Sequence, residues 1–263
     1  METVQSADGT RIAYDRLGAG PPLIVIGGAS CDRGTLRGTA EELAKHFTVL
    51  NYDRRGRGDS GDTLPYAVER EIEDLAALIE AAGGRSSVYG HSSGAALALR
   101  AAGAGLPFDR VILHDPPFNA DGEASRPEAT AYADELDATL AEGRNSDALA
   151  LFMRLTGMPP EMVDGMRAEP WFAGVARIAP TLAYDSAVMG NREAGGGVPL
   201  DVVRAVKAPV LVLVGGASPP FMLEVGRRIA EAASDGRQVT LDGQDHNPDP
   251  AVFAPIVRDF AAI

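Results

Sequence analysis

Apolar and polar positions along the chain follow two alternating grammars. Short apolar runs at 22–26, 47–52, 87–90, 111–114 and 209–214 each lead into a turn rich in Gly, Asp, Ser or Pro, and runs of that length predict buried strands. Residues 11–17 and 238–241 predict one more strand near each end of the chain. Between these runs, segments 35–45, 67–82, 93–104 and 221–233 carry apolar residues at helical spacing, and a last helix begins at Ala251. Strand and helix therefore alternate as an α/β chain with a mostly parallel central sheet, flanked by helices on both faces, requires.

From 118 to 200 the strand grammar stops. Gly143, Pro159-Pro160, Pro170, Pro180 and Gly195-Gly196-Gly197 cut this stretch into several short predicted helices. The organisation expected is one core domain made of 1–117 and 201–263, with 118–200 inserted as a helical cap. A length of 263 residues suits one core with one elaboration.

Composition narrows the partners. With 24 Lys and Arg against 37 Asp and Glu, the net charge of -13 repels phosphate backbones and anionic lipid surfaces, so neither nucleic acid nor membrane is expected as a partner. The first fourteen residues lack the basic-then-apolar order of a secretory leader, and no run approaches bilayer length, which predicts a cytoplasmic protein. One cysteine, Cys31, and four scattered histidines offer no internal disulfide and no zinc spacing; neither a metal nor another cofactor is expected. Oligomeric state is not legible.

The chemistry centres on Gly90-His91-Ser92-Ser93-Gly94, a G-x-S-x-G pattern with an apolar strand before it and an Ala/Leu-rich helix after it. A serine presented on so sharp a strand-to-helix turn needs glycine on either side, because side chains there would collide. Serine attacks only when a base removes its proton, and that base needs a carboxylate to fix its tautomer. His46 follows a helix, His91 lies inside the turn and His114 ends a strand. Only His246 sits on a loop after the last strand, in the order Ser, acid, His that such a fold uses. Ser92 is therefore the candidate nucleophile and His246 the candidate base. The segment 53–60 carries three arginines but lacks the Gly-Lys-Ser/Thr of a phosphate loop. Cys31 has no motif around it and reads as a small apolar filler.

The strand-loop order, Gly27-Gly28 after 22–26, Asp53-Arg54-Arg55-Gly56-Arg57-Gly58-Asp59-Ser60, the serine turn and the terminal Gly-x-x-His together resemble the α/β-hydrolase family over nearly the whole chain outside the cap. The resemblance implies an α/β-hydrolase fold and makes 53–60 a structural loop bordering the site. The family usually carries its acid after the strand matching 209–214, but 215–221 holds no Asp or Glu, and the next carboxylate, Glu224, already lies in a helix. A minority of the family takes the acid from the loop after the preceding strand, where this chain has Asp115; Asp115 is the candidate, ahead of Asp53, Asp242 and Asp245. The histidine-acid pair at that strand end, the Ser-Ser-Gly turn and Gly216-Ala217-Ser218-Pro219 are locally similar to the zearalenone-lactonase group.

Acyl transfer also needs donors aimed at the developing oxyanion. Ser93 supplies one backbone N–H by its position after the nucleophile, and the 27–29 loop supplies the other, from Gly28 or Ala29. The cap holds five of the seven methionines together with the only tryptophan, an adaptable apolar wall. Phe118, Phe152, Met153, Met158, Trp171, Met189 and Pro219 are its candidate substrate-facing residues. These features predict a serine hydrolase that cleaves a carboxylic ester or lactone of a medium-sized hydrophobic molecule through an acyl-enzyme. A serine at the turn argues against the dehalogenase and epoxide-hydrolase branches. Two alternatives stand beside the prediction. The same residues serve carbon-carbon hydrolases, thioesterases, perhydrolases and biosynthetic cyclases, and a ligand-binding member of the fold needs no catalysis.

Overall fold

A computed structural model describes residues 1–261 of the chain. Its frame is an eight-stranded sheet in the order β1-β2-β4-β3-β5-β6-β7-β8. The strands are β1 (Glu2–Gln5), β2 (Arg11–Leu17), β3 (Pro22–Ile26), β4 (Thr48–Tyr52), β5 (Ser86–His91), β6 (Phe108–His114), β7 (Val210–Gly215) and β8 (Gly236–Leu241). β1 and β2 pair antiparallel at one edge, and β4 through β8 with β3 are parallel, as the alternation of elements requires.

Because successive side chains point to opposite faces, one continuous apolar strand feeds two cores. Ile24 and Ile26 of β3, with Val210, Val212 and Val214 of β7, enter a core beneath helices α2 (Val68–Ala81), α3 (Ser93–Gly103) and α11 (Pro220–Ala232). Leu23 and Val25, with Leu211 and Leu213, enter the opposite core, which α1 (Arg37–Leu43) and α12 (Pro250–Ala261) cover. Burial on both faces is the physical reason these strands read as unbroken apolar runs.

Between β6 and β7 the chain is helical: α4 (Gly122–Ala141), α5 (Asn145–Leu155), α6 (Pro160–Arg167), α7 (Phe172–Val175), a 3-10 turn (Ala176–Thr181), α8 (Leu182–Met189), α9 (Asn191–Ala194) and α10 (Leu200–Ala205). Leu136, Leu149, Phe172, Ala179 and Leu182 form an apolar cluster within this helical stretch. Val203 of α10 joins the main core instead.

Three expectations need correction. The strand expected at 11–17 is present as β2, but it is preceded by an unexpected one, β1, a four-residue, largely exposed edge strand whose polarity hides it and which pairs with β2. β6 begins at Phe108, three residues earlier than its apolar run, because half-buried Asp109 and Arg110 interrupt the pattern. Pro180 does not break a helix; it lies inside the 3-10 turn, which makes fewer demands on a backbone donor than a long α-helix. Among the described residues no helix is long and apolar enough to cross a membrane.

Candidate active site at the carboxyl ends of the strands

Ser92 stands between the end of β5 and the start of α3 with φ 56° and ψ −127°, a conformation L-residues rarely adopt. The turn is held from both sides. Ser92 N–H donates to the His114 carbonyl of β6 at 2.9 Å, and Ala95 N–H donates to the Ser92 carbonyl at 2.8 Å. The flanking glycines have the steric cause expected of them. A Cβ on Gly90 would lie 2.7 Å from Ala95 Cα, and one on Gly94 would lie 2.7 Å from the Gly27 carbonyl oxygen.

Asp115 follows β6, also with positive φ (45°), and is fully buried. Its Oδ1 accepts from Gly215 N–H at 3.0 Å, and its Oδ2 accepts from Ser218 Oγ at 2.6 Å and lies 3.1 Å from His246 Nδ1. Burial by itself would raise this carboxyl's pKa. The hydrogen bonds from His246, Ser218 and Gly215 outweigh it and hold the pKa below the ordinary aspartate value. The loop after β8 brings His246 over the turn. Its carbonyl lies 2.7 Å from His91 Nε2, and the rings of His91 and His246 are 4.8 Å apart, centre to centre. His91 immediately precedes Ser92, so residues from the ends of β5, β6 and β8 converge on one place at the carboxyl edge of the sheet. The His246 side chain remains 32% exposed, enough to be reached from outside.

The other acids considered are occupied elsewhere. Glu224 is exposed and pairs with Arg227 at 2.6 Å. Asp53 is tied to Arg33 and to Asp59 N–H. Asp245 accepts from Asn247 N–H at 2.8 Å, and Asp242 is exposed.

The 27–29 loop packs directly on the nucleophile: a Cβ on Gly28 would come within 2.9 Å of Ser92 Cβ and 3.4 Å of its Oγ, so only glycine fits. The Gly28 carbonyl accepts from Arg57 Nη1 at 2.6 Å. Ala29 packs against the apolar cluster of the helical stretch between β6 and β7, as Phe152 and Met153 also do.

Arg54, Arg55 and Arg57 of the 53–60 loop are buried, and their partners are carboxylates of the protein itself. Arg54 forks onto Glu71 at 2.6 and 2.7 Å and reaches Asp185 at 2.6 Å. Arg55 pairs with Asp74 at 2.7 Å, and Arg57 with Asp185 at 2.8 Å. Asp185, on α8, also accepts from Ser93 Oγ at 2.7 Å. Burial opposes the ionisation of Asp185, but Arg57 and Arg54 hold its carboxyl below the usual range. Nothing in the sequence pointed to Asp185, which is 131 residues from Arg54 and lies in no motif. Ser218 was legible only as part of an acid-free loop.

Behind the turn, His91 and His114 pack edge to face with ring centres 5.6 Å apart, and Tyr89 Oη lies 2.6 Å from His114 Nδ1. Burial depresses both imidazoles, His91 to about 4, assisted by the neighbouring His246, and His114 to about 3. Among the described residues, His91 Nδ1 and His114 Nε2 have no hydrogen-bond partner.

The candidate substrate-facing residues separate. Phe118 and Met189 are buried in the main core beneath α3. Phe152 and Met153 are half-buried and pack, like Ala29, on the apolar cluster of Leu136, Leu149 and Phe172, and Met158 is half-buried. Trp171 is 46% exposed and leans on Phe172, and Pro219 is exposed one residue beyond Ser218. Among the described residues no group of three or more His, Cys, Asp or Glu side chains is placed to hold a metal ion. Cys31, expected to be a small filler, is half-buried, and burial raises its thiol pKa.

Comparison with known proteins bears on the family and the fold. The model of the alpha/beta hydrolase family matches residues 23–256. The crystal structure of an alpha/beta hydrolase from Sphaerobacter thermophilus superposes with a TM-score of 0.88 at 45% identity, covering 99% of this chain and 100% of that one. N-formylmaleamate deformylase of Pseudomonas putida is 38% identical over 127 residues, 46% of this chain and 47% of the deformylase, so the match spans under half the length of that relative. The (E)-2-((N-methylformamido)methylene)succinate hydrolase of Acinetobacter baylyi is 24% identical over 250 residues, 93% of this chain and 90% of the relative.

Proposed function

We propose that this chain, which belongs to the alpha/beta hydrolase family, is a serine hydrolase that opens a carboxylic ester or lactone of a small molecule through an acyl-enzyme. The observation that carries the reading is the buried Asp115 carboxylate 3.1 Å from His246 Nδ1, on a loop bound to the residue next to a strained Ser92. In this reading the contact favours the tautomer of neutral His246 with its proton on Nδ1, which leaves Nε2 as the free base to take a proton from Ser92 Oγ. Ser92 then attacks the carbonyl carbon. The tetrahedral oxygen is met by the N–H groups of Ser93 and of Ala29 or Gly28, and His246 returns the proton to the leaving oxygen. Water, deprotonated by the same imidazole, releases the acid. Asp115 stabilises the imidazolium formed in each half-reaction.

In this reading residues 118–200 act as a cap, and Phe152 and Met153, which pack on the same apolar cluster as Ala29, form its apolar contact with substrate. A second reading keeps the three residues and changes the bond. The name of the Pseudomonas putida relative is that of a deformylase of an N-formyl compound, so cleavage of a formyl-nitrogen bond is its specific form. The test is a serine-directed fluorophosphonate with the adduct located by mass spectrometry, followed by acyl p-nitrophenyl esters, aromatic lactones and an N-formyl amide on wild type and Ser92→Ala. Labelling at Ser92 and ester or lactone turnover lost in Ser92→Ala are expected. Turnover of the N-formyl amide alone favours the second reading, and absence of labelling with tight ligand binding would make the chain a binding protein.

A further inference from the structure

The carbonyl of Gly28 and the N–H of Ala29 belong to one trans peptide, so they point in opposite directions. Arg57 Nη1 holds that carbonyl at 2.6 Å, and Cys31 N–H is its other partner at 3.3 Å. The peptide lies against the nucleophile, since Gly28 approaches Ser92 too closely to carry a Cβ. Arg57 is 2% exposed, and its Nη2 is anchored on Asp185 Oδ2 at 2.8 Å. Its Nε is buried without a partner among the described residues, so the guanidinium is placed by its two ends. Asp185 Oδ1 meanwhile accepts from the hydroxyl of Ser93, whose backbone N–H is the other oxyanion donor of the proposed reaction. One carboxylate on α8 is thus tied to the residues that carry both donors.

We propose that Arg57, held by Asp185, is a positioning residue that keeps the Gly28–Ala29 peptide turned so that the Ala29 N–H faces the oxyanion of a substrate at Ser92, and that this couples seating of α8 to a formed oxyanion hole. The proposal rests on the serine-hydrolase reading. A cation on the carbonyl side opposes rotation of the peptide and polarises it, which strengthens the N–H as a donor. Without the guanidinium the carbonyl keeps only the weak contact from Cys31, and the peptide can turn its oxygen toward the position the oxyanion needs. A lysine can replace the charge on the carbonyl but cannot fork onto Asp185 as well.

The experiment compares Arg57→Met, Arg57→Lys and Asp185→Asn with wild type, using a p-nitrophenyl ester and an alkyl boronic acid, whose tetrahedral serine adduct places an oxygen in the oxyanion position. Active sites are counted by fluorophosphonate titration, and folding is followed by thermal melting. Arg57→Met is expected to lower kcat per active site by about 10²-fold with KM within about threefold, and to weaken the boronic acid by a similar factor. Arg57→Lys is expected to recover about tenfold of that loss. Asp185→Asn, close to isosteric, serves where Arg57→Met does not fold, and is expected to lower kcat and boronic acid affinity together. A merely structural role would lower the melting temperature and leave both quantities unchanged in the folded molecules. Wild type that takes no label at Ser92 overturns the serine-hydrolase reading and this role with it. Labelled wild type whose folded variants keep kcat and boronic acid affinity overturns the positioning role alone.

Discussion

Ser218 Oγ donates to Asp115 Oδ2 at 2.6 Å, on the same oxygen that faces His246 Nδ1 at 3.1 Å. The loop after β7, where the family usually carries its acid, here supplies a hydroxyl to the carboxylate of Asp115 at the end of β6. Hydrogen bonds to charged groups contribute about 1.5 to 3 kcal/mol. Ser218→Ala is therefore expected to lower kcat roughly tenfold with little change in KM, and to lower unfolding free energy by about 1 to 2 kcal/mol. Steady-state kinetics with urea unfolding checks both, and an unchanged kcat would show that Asp115 needs no support from β7.

Asp115→Asn keeps the volume of the side chain but lets His246 settle in the wrong tautomer. A loss of about 10⁴-fold in kcat is expected, against less than about twofold for Glu224→Gln, whose side chain is exposed and bound to Arg227. Equal and mild effects of the two would remove Asp115 from the reaction.

The paired histidines make stability depend on pH. His91 at about 4 and His114 at about 3 stay neutral in the fold, whereas the unfolded chain protonates them near 6.5. Between these values the unfolded state binds more protons, so stability is complete above about 6.5 and falls as pH drops toward 4. A depression of this size corresponds to a loss on the order of 3 kcal/mol from His91 across that window. Urea midpoints measured from pH 7.5 to 4.5 test this. His91→Gln should flatten the decline, and a wild-type midpoint that does not move between pH 7 and 5 contradicts it.

Arg54 neutralises Glu71 and Asp185 at once, all three being buried. Arg54→Met strands Glu71 and leaves Asp185 to Arg57 alone. A loss of about 3 to 5 kcal/mol is expected, scarcely altered by added salt because the charges are out of reach of mobile ions. Thermal and chemical unfolding at low and high ionic strength measures it; a loss below about 1 kcal/mol would mean that water reaches the network.

Local pattern determined a good deal. The order of strands and helices, the Gly-flanked turn at Ser92 and the loops that carry Asp115 and His246 were legible, because each depends on periodicity, turn chemistry and chain order within a few residues. The edge strand β1 was not, since three of its four residues are polar and exposed, Val4 alone reaches the core, and the strand is defined by its pairing with β2. Tertiary structure alone decided which side chains meet across the sheet. Arg54, Arg55 and Arg57 could be read as a charged loop, but their neutralisation by Glu71, Asp74 and Asp185 spans up to 131 residues and leaves no periodic trace. The hold of Ser218 on Asp115, and of Arg57 on the Gly28 carbonyl, belongs to the same class. Such contacts depend on distance and direction in space, which a hydroxyl or a guanidinium acquires only when the elements on either side of it have packed.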